Sequence, residues 1–301
     1  MHYDNLALPL SLKSIQNMLH TMTLIADSGS TKTDWCLARD GEMVARIATQ
    51  GINPFYQSDE DIIRILEDEL LAQWPADLEN AQEVFFYGAG VRPEMSVRME
   101  RLVGEVTQAA RVEVHGDLLG AARALFGREE GIACILGTGS NSGLYDGTHI
   151  VQNTPPLGFI LGDEGSGAVM GKRFVADLFK GLMPQWLLEE FKAATHQDVA
   201  DVIQSVYRQP LPNRYLAQVT RFIHQHLQVE EVNALVVDNF CDFFRRNLVQ
   251  YRRRDLPVKM IGSIAFHFHE QLARAAEMEG FVLCGVEQGP MEGLVTFHGS
   301  V

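Results

Sequence analysis

From residue 22 onward, short apolar runs alternate with stretches of helical periodicity. The runs at 24–26, 35–38 and 44–48 predict strands, with Asp40-Gly41 as a hairpin turn. Apolar positions from 62 to 71 recur at near-helical spacing and predict a helix that Pro75 closes. A strand at 84–87, a helix at 93–110 and a strand at 112–115 follow. This order predicts a complete α/β lobe.

The pattern restarts with a predicted strand at 132–136, a return strand at 142–145, a hairpin at Asp146-Gly147 and a strand at 149–152. After Asp163 the chain is mostly helical up to 254, and 258–261 predicts a last buried strand. Because the two halves open alike, we expect two duplicated lobes facing each other across a cleft.

These patterns predict an N-terminal lobe over 22–117 and a C-terminal lobe over 118–301 that carries a helical insertion. Whether the last segment returns to the N-terminal lobe stays open. Residues 1–21 have no repeated pattern, so we interpret them as an extension ahead of an original start at Met22. An amphipathic helix through 11–15 is the alternative.

Composition narrows the class of partner. The 301 residues carry a net charge of -14, from 25 Lys and Arg against 39 Asp and Glu, which disfavours nucleic acid or an anionic membrane and favours a small-molecule ligand. The four cysteines form no Cys-x-x-Cys pair, so the sequence indicates neither a zinc site nor a disulfide framework. Without a recognisable export signal or membrane span, we expect a cytoplasmic location.

Two turns rich in glycine and hydroxyl side chains carry the candidate chemistry. They occupy 27–33 (Asp-Ser-Gly-Ser-Thr-Lys-Thr) and 137–141 (Gly-Thr-Gly-Ser-Asn), each between two predicted strands. Glycine lets the backbone approach an anion, and hydroxyl groups add donors to the free amides. Ordinary hairpin turns favour the same residues, but two copies indicate a two-lobed phosphate clamp.

With Gly116-Asp117 and a Gly-Asp-Glu-Gly-Ser motif at 162–166, the ordered turns resemble the sugar kinase, heat-shock ATPase and actin superfamily. Within it, the chain resembles the family of N-acetylglucosamine kinases and BadF-type ATPases over about 24–294. The resemblance implies an α/β, two-lobed actin-like ATPase fold, related to ribonuclease H, with duplicated lobes around a central nucleotide and sugar cleft. It also implies ATP and Mg²⁺ as cofactors.

The resemblance assigns the catalytic base to Asp117, which would take the proton of the acceptor hydroxyl. Asp117 also precedes a helical pattern, so an N-cap role is the alternative, and the two roles are compatible. Asp27 is implied to orient hydrated Mg²⁺, with a turn-stabilising aspartate as its alternative. Gly116 departs from the asparagine of many sugar kinases, which leaves one sugar contact in doubt.

The remaining implied contacts fall into two sets. The nucleotide-binding set is Gly29, Ser30, Thr31, Lys32, Thr33, Gly137, Thr138 and Gly139 at the phosphates, with Gly262 and Ser263 beside adenine. The sugar-binding set is Asn53, Ser140, Asn141, Gly158, Gly162, Asp163 and Glu164. As alternatives, Asp163 and Glu164 cap the helix that begins near Ser166, and Gly262-Ser263 is a plain strand-to-helix turn.

The sequence therefore predicts an ATP- and Mg²⁺-dependent kinase that phosphorylates an amino sugar, with N-acetylglucosamine as the favoured acceptor and Asp117 as base. Two alternatives stay open: a BadF-type ATPase activator, for which the cysteines offer no evident cluster pair, and a nucleotide- and sugar-binding regulator without catalysis. The expected partner is the small-molecule sugar, with no nucleic acid and no membrane; a homodimer stays open.

Overall fold

The computed structural model describes residues 22–29, 31–74 and 81–299. The predicted extension over 1–21, Ser30 and Pro75 lie outside the described residues. The chain forms two compact units. The first contains the described residues up to Gly120 and the helix that begins at Met291; the second runs from Ala121 to Pro290.

The first unit contains a five-stranded mixed sheet, with helices at 59–65 and 93–107 and the C-terminal helix. Its elements are β1 (Met22–Ser28), β2 (Lys32–Arg39), β3 (Glu42–Gln50), α1 (Asp59–Ile65), a π-helix (Leu66–Leu71), β4 (Ala81–Gly88), α2 (Pro93–Thr107) and β5 (Arg111–Gly116). The next helix, α3 (Asp117–Phe126), starts in this unit, and α13 (Met291–Gly299) completes it.

The sheet of the first unit has the strand order β3-β2-β1-β4-β5. β1, β2 and β3 form an antiparallel meander, whereas β1, β4 and β5 run parallel. In this register Ser28 pairs with Gly88, and Gly88 pairs with Gly116. The carboxyl ends of three parallel strands therefore lie at one edge, where open α/β sheets bind their ligands.

The second unit contains another five-stranded sheet and most of the helices. Its elements are β6 (Gly131–Leu136), β7 (Ser140–Tyr145), β8 (Ile150–Asn153), α4 (Gly158–Leu161), α5 (Gly167–Phe179), α6 (Gln185–Thr195), α7 (Val199–Tyr207), α8 (Pro212–Gln218), α9 (Thr220–Gln225), α10 (Glu230–Phe243), a π-helix (Phe244–Leu248), a 3-10 helix (Val249–Tyr251), β9 (Val258–Ile261), α11 (Ser263–His267), α12 (His269–Met278) and β10 (Leu283–Glu287).

The second sheet repeats the arrangement of the first. Its order is β8-β7-β6-β9-β10, with an antiparallel meander of β6, β7 and β8 and with β6, β9 and β10 parallel. Both sheets therefore have the same order and directions when their strands are numbered from the start of each unit. The predicted duplication is confirmed at the level of sheet topology.

Local backbone conformation explains where the predicted elements agree with the structure and where they do not. Asp40 and Gly41 both have positive φ, 50° and 78°, which matches the predicted two-residue hairpin. The predicted helix over 93–110 ends at Thr107, because Gln108 adopts a left-handed conformation with φ 56°. β10 and α13 were not predicted, since neither carries a distinctive periodic signal.

Each unit has its own apolar core. Leu24, Trp35 and Phe86 are completely buried in the first, and Trp35 Nε1 donates to Thr49 Oγ1 at 3.0 Å. Phe174, Phe191 and Phe240 are completely buried among the helices of the second. None of the helices within the described ranges is long and apolar enough to cross a bilayer.

Candidate functional site

Two aspartates meet at the carboxyl-terminal edge of the first sheet. Asp27 is the penultimate residue of β1, and Asp117 directly follows β5 as the first residue of α3. Each is half-buried. Burial, together with the negative charges of Asp117 and Asp34, raises the pKa of Asp27 to about 7. The structure thus brings the predicted metal and base residues within electrostatic reach of each other.

Asp117 is the first residue of α3, and its side chain bonds to the next backbone N–H rather than to one two or three residues on, as an N-cap would. Its Oδ1 accepts the backbone N–H of Leu118 at 2.8 Å. Burial raises the pKa of Asp117, although the backbone N–H groups that it accepts oppose the shift. A carboxylate with a raised pKa is a stronger base when ionised, so this environment suits proton transfer.

The first phosphate turn is closed by its own backbone, since Gly29 N–H donates to the Lys32 carbonyl at 3.0 Å. Thr31 is exposed, and Lys32 Nζ pairs with Asp34 Oδ2 at 2.7 Å. The exposed members of the turn are therefore free to face a ligand, while Asp34 restrains the lysine.

Thr33 differs from its neighbours in the turn, because its hydroxyl faces the interior. Thr33 Oγ1 lies 2.6 Å from Ser28 Oγ, donates to the Gln50 carbonyl at 3.1 Å and accepts Ile52 N–H at 3.2 Å. Both hydroxyl side chains are completely buried. The expected phosphate contact through this hydroxyl therefore does not fit the structure: β2 begins at Lys32, and its alternation turns Thr33 inward.

Asn53 lies in a loop fixed by several hydrogen bonds. Its Oδ1 accepts Phe55 N–H at 3.0 Å, and its own N–H donates to Gln57 Oε1 at 2.7 Å. Within the described residues, Asn53 Nδ2 makes no hydrogen bond. Gly90, with φ 76°, packs so closely that a Cβ there would lie 2.3 Å from Asn53 Oδ1. The loop therefore fixes Asn53, the predicted sugar-binding residue, and leaves its Nδ2 amide group available as a donor.

The second phosphate turn lies against the start of α5. Gly167 N–H donates to the Gly137 carbonyl at 2.9 Å, and Ala168 N–H donates to the Thr138 carbonyl at 3.1 Å. Within the described residues, the amides of Thr138 and Gly139 donate to no turn or loop carbonyl. The carbonyls of the turn thus serve the helix, which leaves two amides for an anion.

Asp163 lies between the 137–139 turn and the glycine loop, which contains Gly158 and Gly162. Burial raises the pKa of Asp163 to about 6, and the charge of Glu164 adds to the shift. The backbone N–H groups of Ser140 and Gly158 act on its carboxylate and lower its pKa, which opposes the effect of burial. A Cβ at Gly139 would lie 3.1 Å from Asp163 Oδ2, and one at Gly162 would lie 2.0 Å from the Pro156 carbonyl. The two glycines permit these close approaches.

Glu164 and Asn141 are both held by side chains that the sequence did not suggest. Glu164 Oε2 lies 3.4 Å from Asn247 Nδ2, and its Oε1 lies 3.8 Å from Arg246 Nη1. Asn141 Oδ1 accepts Ser142 N–H and Asn153 Nδ2, each at 2.9 Å. Nothing in the helical pattern around residue 247 marks these contacts, because the partners are distant in sequence.

The N-cap of α5 is Ser166, whose Oγ accepts Val169 N–H at 3.2 Å. The alternative that Asp163 or Glu164 caps this helix through its side chain is therefore wrong. Ser166 ends the Gly-Asp-Glu-Gly-Ser motif, and the sequence did not predict it as the cap. The two carboxylates remain available for other contacts.

Gly262 lies beside the second phosphate turn. Its φ is 117°, and a Cβ there would lie 2.3 Å from the Leu136 carbonyl, so this position requires glycine. Ser263 begins α11, and the Ile264 side chain packs against Gly167, where a Cβ would lie 3.0 Å from Ile264 Cδ1. The structure thus brings together Gly262, the 137–139 turn and the start of α5.

The carboxylates also bear on how Mg²⁺ could be held. The part of the chain that the structure describes has no group of three or more His, Cys, Asp or Glu side chains suited to a metal ion. Mg²⁺ in nucleotide sites keeps several waters and takes one or two carboxylates in addition to phosphates. Asp27, with Asp117 nearby, fits this mode of binding.

Comparison with solved structures finds proteins that are similar to this chain. A putative N-acetylglucosamine kinase from Porphyromonas gingivalis is 49% identical, with a TM-score of 0.91 over 93% of this chain and 99% of that one. A putative N-acetylglucosamine kinase from Chromobacterium violaceum is 19% identical, with a TM-score of 0.69 over 92% and 98%.

The ROK hexokinase from Thermus thermophilus is 13% identical, with a TM-score of 0.52 over 92% of this chain and 96% of that one. No protein-family model matches the chain, and a search of curated proteins gives no significant match. The two more distant structures confirm the predicted actin-like ATPase fold. On the 49% identity over nearly the full length of both chains, this protein belongs to the N-acetylglucosamine kinase family of the sugar kinase, heat-shock ATPase and actin superfamily.

Proposed function

We propose that this protein is an ATP-dependent sugar kinase that transfers the γ-phosphoryl group to a hydroxyl of an amino sugar. The observation that carries the proposal is Asp117 at the carboxyl end of β5, with Asp27 within electrostatic reach. The 49% identity to the Porphyromonas gingivalis protein supports N-acetylglucosamine as the favoured acceptor.

In this proposal Asp117 is the general base that removes the proton from the acceptor hydroxyl. Its raised pKa favours proton uptake, and the N–H of Leu118 fixes one carboxylate oxygen. Asp27 would hold Mg²⁺ through water. The ion, when bound with ATP, neutralises the charge on the phosphate oxygens.

The proposed nucleotide contacts are assigned to two turns, one in each unit. The first unit supplies the exposed residues Gly29, Thr31 and Lys32, and Ser30 is kept as a prediction from the sequence. We leave the buried Thr33 hydroxyl out of the phosphate contacts. The second supplies the amides of Thr138 and Gly139 after Gly137. Gly262 and Ser263 are assigned to adenine because Gly262 offers no side chain beside this turn.

The proposed acceptor contacts are likewise assigned within each unit separately. Asn53 of the first unit offers its amide donor. The second unit supplies the 140–141 segment, the glycine loop with Gly158 and Gly162, and the carboxylates of Asp163 and Glu164. Amides and carboxylates at these positions can donate to or accept from sugar hydroxyl and acetamido groups.

The cysteines argue against the ATPase-activator alternative. Cys36, Cys134 and Cys241 are buried, and burial raises the pKa of each thiol. A shared cluster would need thiolates at the surface, where Cys284 is the exposed cysteine among those described. The second candidate function is a nucleotide- and sugar-binding regulator without catalysis. Such a regulator would bind the sugar but would not turn it over.

A substrate panel tests the proposal. With purified protein, ATP and Mg²⁺, we expect N-acetylglucosamine or glucosamine to stimulate ADP formation above the rate with glucose. If no amino sugar exceeds glucose, the assignment of the acceptor is wrong. Sugar binding by calorimetry without ADP formation would favour the regulator.

A further inference from the structure

A π-helical turn (Phe244–Leu248), continuous with α10, contacts Glu164, one of the predicted sugar-binding residues of the second unit. Single π-helical turns inside helices occur frequently at functional sites. This one presents Arg246 and Asn247, adjacent in sequence, to the two carboxylate oxygens of Glu164. Arg246 is mostly exposed, so its positive charge partly neutralises Glu164 without fixing its position. Asn247 is buried, so its contact with Glu164 comes from a side chain that is held in place.

Asn247 makes hydrogen bonds to three different parts of the second unit. Its Nδ2 donates to Glu164 Oε2 at 3.4 Å and to the Phe243 carbonyl at 3.3 Å. The backbone carbonyl of Asn247 accepts the Thr154 hydroxyl at 2.9 Å. The residue therefore joins the carboxylate of the Gly-Asp-Glu-Gly-Ser motif to the chain that follows β8.

Tyr251, at the end of the same helical segment, holds the strand that carries Asn141. Its hydroxyl lies 2.7 Å from Ser142 Oγ and accepts Thr154 N–H at 3.1 Å. Tyr251 and Ser142 are both almost completely buried. Ser142 N–H in turn donates to Asn141 Oδ1, which fixes the orientation of that amide.

We propose that Asn247 and Tyr251 are positioning residues for the acceptor sugar, and that they hold Glu164 and Asn141 in one arrangement before the sugar binds. This inference rests on the proposed kinase function. Thr154 donates its hydroxyl to the backbone carbonyl of Asn247 and its N–H to the Tyr251 hydroxyl, so the hydrogen bonds that reach Glu164 and Asn141 form one connected network. Such preorganisation reduces the conformational cost of binding.

Breaking the hydrogen bonds of Asn247 or Tyr251 should weaken binding of the acceptor sugar more than binding of ATP. The hydrogen bonds of the network reach Glu164 and the Asn141 strand, and none of them involves the 137–139 turn. Loosening Glu164 or Asn141 therefore weakens acceptor contacts while the phosphate contacts stay in place. A merely structural role would lower overall stability and affect both substrates alike.

The test compares Asn247→Leu, which keeps the branching of the side chain at Cγ and removes its amide, with Tyr251→Phe, which removes one hydroxyl. Gln250→Ala is the matched control, because this exposed side chain lies in the same segment. For each variant the KM of N-acetylglucosamine, the KM of ATP, kcat and the melting temperature are measured, and calorimetry reports sugar binding without nucleotide. Tyr251→Phe provides the test if Asn247→Leu fails to fold.

We expect the acceptor KM and the calorimetric Kd of both variants to rise about tenfold, as the loss of buried hydrogen bonds implies. The KM of ATP should stay within about twofold, and Gln250→Ala should match the unaltered protein. Unchanged acceptor affinity in a folded variant, or an equal rise in both KM values, overturns the inference while the kinase function stands. If the unaltered protein neither binds nor phosphorylates a sugar, both proposals fail.

Discussion

Asp27 and Asp117 lie at the same edge of one sheet, and the negative charge of Asp117 contributes to the raised pKa of Asp27. Burial is the larger cause of that shift. Two half-buried carboxylates of like charge repel when both are ionised, so a cation at this edge would stabilise them. This relationship joins the proposed base to the proposed Mg²⁺ residue.

Asp117→Asn separates the helix-opening role from the catalytic role. The amide oxygen can still accept Leu118 N–H, so we expect the free energy of unfolding to change by no more than about 1 kcal/mol. The amide cannot take the hydroxyl proton, so kcat should fall about a hundredfold or more. Turnover under single-turnover conditions and urea unfolding provide the two measurements.

The matched control is Asp198→Asn at the N-cap of α7, where the carboxylate accepts N–H groups from Ala200 and Asp201. It should cost a similar amount of stability and leave kcat unchanged. Near-normal kcat for Asp117→Asn would remove Asp117 from the chemistry, and Asp163 would be the next carboxylate to test.

Asp163 should make stability depend on pH. Its pKa in the fold is about 6, against 3.8 for an ordinary aspartate, so the folded protein favours the protonated form. Its stabilising contribution is complete below about pH 4, declines as the pH rises through 6 and is absent above that. Relative to Asp163→Asn, the unaltered protein should lose stability from pH 4 to pH 6, as urea unfolding would report.

Asp146→Asn is a control of opposite sign. The N–H groups of His149 and Thr148 lower the pKa of Asp146, so its contribution is present above the ordinary aspartate pKa and is lost as the pH falls. A stability difference for Asp163→Asn that does not vary between pH 4 and pH 6 would contradict the raised pKa.

Thr31 and Thr33 should separate ligand binding from folding. Thr33→Val removes a buried hydroxyl and should lower the free energy of unfolding by about 1–3 kcal/mol, because Ile52 N–H and Ser28 Oγ lose a partner. Thr31→Val alters an exposed side chain and should raise the KM of ATP without a change in stability. Thermal melts and ATP titrations make the comparison. A stable Thr33→Val protein with weakened ATP binding would return Thr33 to the phosphate site.

The sequence correctly placed Asp27 and Asp117 at the carboxyl ends of strands. Asp27 and Asp117 follow clear apolar runs, and parallel strands bring their carboxyl ends to one edge. Thr33 could not be assigned in the same way, because its direction depends on where β2 begins after the turn. One residue of register decides whether a strand side chain faces inward or outward.

The contacts of Glu164 were beyond sequence reasoning for a different reason. Asn247 lies 83 positions later, inside a stretch whose pattern indicates only helix. The π-helical turn that presents Asn247 has no distinctive residue signal, since its side chains are those of an ordinary amphipathic helix. Only the packing of the second unit reveals that this turn meets the Gly-Asp-Glu-Gly-Ser motif.

The most direct measurement is the joint quantification of ADP and sugar phosphate by mass spectrometry, with purified protein, ATP, Mg²⁺ and N-acetylglucosamine. The account predicts one sugar phosphate for each ADP, no reaction without the sugar, and a fall of about a hundredfold in both products for Asp117→Asn. ADP formed at the same rate without sugar, or without any sugar phosphate, would contradict the account.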